Sequence, residues 1–120
     1  MTSLSKTRLI PDGNVLVGSL AGDVDLITVR DAADQLVQAV PTTVSDLVLD
    51  LSEITYLDSR GVHILLEAIE RLRMRGQTTY VVAPELSAIR RLIEVTGVTD
   101  LVPVVGSVDE ALQQIRARDP

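Results

Sequence analysis

The sequence predicts a single α/β domain built on one mixed sheet of about five strands with about four helices. Three observations carry this. Apolar runs of strand length alternate with stripes of helical period. The connections between them are short and rich in turn formers. The chain, 120 residues long, has the length of one domain.

Residues 1–7 are polar and aperiodic and read as a flexible N-terminal tail, leaving a domain over 8–117. Arg8-Leu9-Ile10 is a short first strand, and Pro11-Asp12-Gly13-Asn14 a turn. A second strand over 14–20 completes a hairpin that Pro11 places at a sheet edge. Ile27, Val29, Ala32, Ala33, Leu36, Val37 and Val40 recur at helical period, predicting a helix over 27–40 that stops before Pro41. Leu47 to Leu51 is apolar on both faces apart from Asp50, which predicts a strand over 46–51 covered on both sides. The next helix, 61–75, turns Val62, Leu65, Ile69 and Leu72 inward and His63, Glu67 and Glu70 outward. Arg71, Arg73 and Arg75 suit its last turn, and Gly76 closes it. A strand over 77–82 follows, then a helix over 86–96 with Leu86, Ile89, Leu92 and Ile93 inward and Gly97 at its end. Pro103 puts the last strand, 101–105, at an edge. Ser107 and Glu110 form a capping box for a final helix, 107–117, docked by Ala111, Leu112 and Ile115. Leu49, Leu65, Ile69 and Leu92 are the expected core.

Composition narrows the function classes. A net charge of −6 disfavours nucleic acid and anionic membranes and favours a basic partner surface. With no Phe, no Trp and two Tyr, aromatic stacking on bases is not expected. Without cysteine there is neither a disulfide framework nor a thiolate metal site. No N-terminal targeting signal is read, and no apolar run approaches the ~18 residues that span a membrane.

The candidate site is Asp58-Ser59-Arg60-Gly61. A buried strand delivers a loop, and the loop delivers a serine to the start of a helix, where free N–H groups and the helix dipole suit an anion. Ser59 reads as either a structural cap or a functional hydroxyl. A nucleophilic reading would join it to His63, one turn on, and Asp58. Nothing is placed to orient the imidazole and there is no Gly-x-Ser-x-Gly elbow, so no catalytic residue is assigned. One histidine and scattered carboxylates predict no metal site, and no Walker-type loop or cofactor motif is present. Asp23 and Asp25 read as helix-opening acids or as partner contacts.

Five stretches in order carry a resemblance. They are Gly22-Asp23-Val24-Asp25-Leu26, Leu47-Val48-Leu49-Asp50-Leu51-Ser52, Leu57-Asp58-Ser59-Arg60-Gly61-Val62, Gly76 before Thr79-Tyr80-Val81-Val82, and Leu92-Ile93-Glu94-Val95-Thr96-Gly97-Val98. Together, over about residues 8 to 114, they resemble the STAS domain family, and within it the bacterial anti-sigma factor antagonists. The resemblance implies a cytoplasmic binding switch in transcription, not an enzyme. Ser59 would be phosphorylated by the partner anti-sigma factor, a serine kinase of the histidine-kinase-like ATPase type, and a phosphatase would reverse this. Asp23, Asp25, Asp58, Ser59, Arg60, Gly61 and His63 would form the partner surface. The family has a small hydroxyl residue where this chain has Arg60. That departure keeps open an alternative, a STAS scaffold or transporter-accessory subunit that is never phosphorylated.

Overall fold

The central strand, β3 (Asp46–Tyr56), shows why the chain folds around it: side chains alternate across a strand, and here both faces are apolar. Leu47, Leu49 and Leu51 join the larger core, while Val48 joins a smaller core on the opposite face. A computed structural model describes residues 3–9 as backbone and residues 14–118 in full. It gives the order β1 (Ser3–Leu9), β2 (Val15–Asp23), α1 (Leu26–Ala39), β3, α2 (Ser59–Met74), β4 (Thr78–Val82), α3 (Ala88–Thr96), a 3₁₀ turn (Val98–Asp100), β5 (Val104–Val105) and α4 (Val108–Arg118).

The sheet has five strands in the order β1-β2-β3-β4-β5. β1 is antiparallel to β2, and the remaining pairs are parallel. The helices α1, α2 and α3 pack on one face through Val29, Leu36, Leu65, Ile69, Leu72 and Ile93. Each such side chain contributes roughly 1.5–3 kcal/mol when buried. On the other face α4 lays Ala111 and Ile115 against Val48, Tyr80 and Val82.

Several expectations are corrected. The first strand begins at Ser3, within the segment read as a tail, because backbone pairing to β2 does not require apolar side chains at a sheet edge. Ile10 and the turn at Pro11 to Gly13 lie outside the described residues. β3 extends to Tyr56, since β2 also runs on to Asp23 and the two keep pairing. Helix α3 starts at Ala88 because the Ser87 hydroxyl caps it, accepting from Arg90 N at 3.1 Å. Leu86 therefore precedes the helix and is 96% exposed, although the periodicity placed it inward. Ile27 is 80% exposed for a related reason. It stands two residues before Val29, about 200° around the helix from the buried stripe. Leu49, Leu65 and Ile69 are buried as expected, whereas Leu92 is half-buried and borders a groove.

Candidate functional site at the carboxyl edge of the parallel strands

Because β2, β3 and β4 are parallel, the loops that follow them open on one edge of the sheet, the usual place for sites in such folds. Asp23 ends β2 and Asp25 lies in the loop after it, while Asp58 lies in the loop after β3 and Ser59 opens α2. Direct contacts join them. Val24 N donates to Tyr56 O at 2.8 Å, and the Thr55 hydroxyl donates to Asp23 Oδ1.

Asp58, not Ser59, caps α2. Its Oδ1 accepts from Gly61 N at 2.9 Å. Ser59 is thus the first residue of the helix, exposed, and among the described residues its hydroxyl has no hydrogen-bond partner. The bond that orders the helix start is made by Asp58, so the neighbouring Ser59 hydroxyl is left exposed. Arg60 is also exposed and bends back so that a guanidinium nitrogen lies 3.9 Å from Asp58 Oδ2. Such an open pair is worth about 0–1 kcal/mol and yields readily to a stronger anion.

Asp25 caps α1 in a capping box with Thr28, accepting from Thr28 N at 2.9 Å and from its hydroxyl at 2.9 Å. These bonds, the one from the backbone first, hold the Asp25 carboxyl below the usual aspartate range.

The predicted partner set divides. Asp23, Asp25, Ser59, Arg60 and His63 are exposed, and Asp58 is partly so. Gly61, in contrast, is buried. A β-carbon there would stand 2.4 Å from Leu57 Cδ1, so Gly61 serves the close packing of the helix start on Leu57. His63 opens away onto a shallow depression with Glu67, Glu70, Arg73 and Leu101. Among the described residues no hydrogen bond links it to Ser59 or Asp58. No group of three or more potential metal ligands gathers among the described residues, and no helix there is long and apolar enough to cross a membrane.

Sequence reading missed the apolar part of this edge. Ile27, Tyr56 and Leu86, one near each loop, are exposed large hydrophobics. The signals were present: Ile27 is off the stripe by rotation, and Leu86 stands before a Ser cap.

The architecture is an α/β domain with an exposed serine, preceded by a capping aspartate, at the start of α2. The chain belongs to the STAS domain family, whose pattern it matches over residues 8–111. It is 31% identical to the anti-sigma-F factor antagonist RsfB of Mycobacterium tuberculosis over 93% of this chain and 91% of that protein. It is 26% identical to an anti-sigma-B factor antagonist of Staphylococcus epidermidis over 71% of this chain and 78% of the other. The crystal structure of an anti-sigma factor antagonist from Mycobacterium paratuberculosis superposes with a TM-score of 0.71 at 29% identity, covering 97% of this chain and 93% of that one.

Proposed function

We propose that this protein is an anti-sigma factor antagonist of the cytoplasm, a binding switch without catalytic activity, whose docking face is the sheet edge around Ser59. The observation that carries the reading is the free Ser59 hydroxyl: Asp58 takes the cap, so Ser59 is available to a kinase without loss of the helix start. The partner is an anti-sigma factor that is also a serine kinase of the histidine-kinase-like ATPase type. Phosphorylation of Ser59 ends the docking, and a phosphatase restores it.

The magnitudes favour control of affinity over control of stability. A phosphate adds a charge of about −1.5 to −2 beside Asp58, on a chain already at −6. The helix start offsets that charge locally by ~0.3–1 kcal/mol. Buried unpaired in an interface, it costs ~2–5 kcal/mol, a loss of roughly 30- to several-thousand-fold in affinity. Arg60 is the nearest cation and pairs with the phosphate in exchange for its weak contact with Asp58.

Titration calorimetry against each histidine-kinase-like anti-sigma factor of the source organism tests this. One of them binds the unmodified chain, binding is lost in Ser59→Asp, and Ser59→Ala binds but takes up no phosphate. Equal affinity of Ser59→Asp and the unaltered chain removes Ser59 as the switch.

A further inference from the structure

We propose that β3 carries a second recognition element beside Ser59: an open strand edge over Ser52–Tyr56 that takes an extended, positively charged segment of the docking protein by strand addition. This rests on the reading of that face as a protein-docking surface. The observation is a mismatch in strand lengths. On one side β3 pairs with β2 as far as Asp23 opposite Tyr56. On the other side its ladder with β4 stops at Asp50 opposite Val82. Past that point Ala83 N is taken up by Val105 O at 2.9 Å, and Pro84, which has no N–H to offer a ladder, leads the chain away into α3. The last residues of β3 therefore have a sheet neighbour on one side only.

What lies on the open side is a groove. Its floor and walls include Ser52, Ile54 and Tyr56 from β3 and Ser87, Ile89 and Leu92 from the start of α3. Its volume is about 240 Å³. That is below the ~300–1,000 Å³ of pockets that enclose small ligands, so a cofactor is a poor occupant. A narrow slot beside a strand edge, with Leu92 and Ile54 half-buried in it, suits a peptide backbone that hydrogen-bonds to the edge and turns alternate apolar side chains into the slot.

Charge selects the occupant. Glu53 stands on this stretch of β3, Asp50 lies just before it and Asp58 just after it. A second copy of the chain would bring the same carboxylates and the same net charge of −6 against them, so self-pairing is disfavoured. A basic segment gains where a second copy loses. Asp50 Oδ1 already accepts from Ser52 N at 2.9 Å, which shields the first amide of the edge and leaves the residues beyond it to the partner.

Hydrogen exchange read by mass spectrometry tests the proposal on the intact chain with two probes. One is the anti-sigma factor that binds in the calorimetry above. The other is the synthetic peptide Lys-Val-Arg-Val-Lys-Val-Arg. The expected result is slowed exchange over residues 52–56 with either probe, weakened by added salt. Glu53→Lys, with Ser59 untouched and an unchanged melting curve, weakens binding about tenfold through reversal of one charge contact. An anti-sigma factor that binds in a Ser59-dependent way yet leaves residues 52–56 exchanging at the free rate overturns the inference and keeps the function. Protection by the peptide with no anti-sigma factor bound keeps the edge and sinks the function. Protection by neither probe, or protection that depends on chain concentration without a probe, overturns the proposal.

Discussion

The two edges of the parallel sheet use the same kinds of side chain to opposite ends. At the amino edge Asp46 is fully buried, and both of its oxygens accept from Arg118 at 2.8 Å. The Ser45 hydroxyl donates to the same carboxylate at 2.9 Å. Nearby, Arg75 donates to the carbonyls of Val37 and Val40, and the Gln77 amide donates to those of Pro41 and Val44. Apart from Ser45 to Asp46, these bonds tie together segments distant in sequence, and the Ser45 hydroxyl also lies 3.2 Å from the carbonyl of Asn14. At the carboxyl edge the acids mostly cap their own helices, Arg60 makes one loose contact, and Ser59 is left over. An Asp, an Arg and a Ser close the fold at one edge and lie exposed or half-exposed at the other. Which role each plays is decided by burial and by the sequence distance of its bonds, not by residue type.

That contrast can be broken from either side. The largest effect on stability is expected from Arg118→Ala, which leaves the buried Asp46 carboxylate without its cation. Urea unfolding should show a loss of ~3–5 kcal/mol, with affinity for the partner unchanged in the folded fraction. Ser59→Asp should do the reverse, costing ~2–5 kcal/mol in binding while stability stays within about 0.5 kcal/mol. A large drop in melting temperature for Ser59→Asp would erase the distinction between the edges. Asp58→Ala lies between them. It removes the cap of α2 and should cost ~0.5–2 kcal/mol of stability, and under the proposed switch it should also change the rate at which a kinase modifies Ser59.

The smallest effect concerns pH. The folded Asp25 carboxyl is held low by Thr28, so its contribution to stability is present above the unfolded value of about 3.9 and is lost as pH falls through the lower, folded value. An NMR titration of Asp25 should give a midpoint below that of a free aspartate, and Thr28→Val should move it upward. A midpoint already at the ordinary value would show that the capping box does not hold in solution.

Much of this was legible in the sequence because periodicity and caps are local. The run Leu47–Leu51, the stripe Val62-Leu65-Ile69-Leu72 and the Ser107–Glu110 box each state their structure within a few residues. The capping glutamate differs only in reaching Gly106 N. The position of Ser59 between a strand and a helix start is also stated locally. What escaped is what depends on partners far along the chain. The strand at Ser3–Leu9 exists through pairing with β2. The overhang of β3 follows from where β4 stops, and the clamp from Asp46 to Arg118 joins the start of the central strand to the end of the last helix. No window of local sequence contains both halves of these contacts.

The close approach of Gly61 to Leu57 has a consequence for how such a chain can diverge. With a β-carbon at 61 only 2.4 Å from Leu57 Cδ1 and 3.2 Å from its Cγ, the two positions are not free to drift separately. Alanine at 61 is a clash against leucine at 57 and becomes tolerable once 57 has shrunk, while a shrunken 57 opposite glycine leaves a void under the helix start. Each single step is unfavourable and the pair of steps much less so, a case of sign epistasis. Descendants of this sequence would cross between the two states rarely and in both positions together, so the spacing that exposes Ser59 is protected by a steric lock beneath the surface.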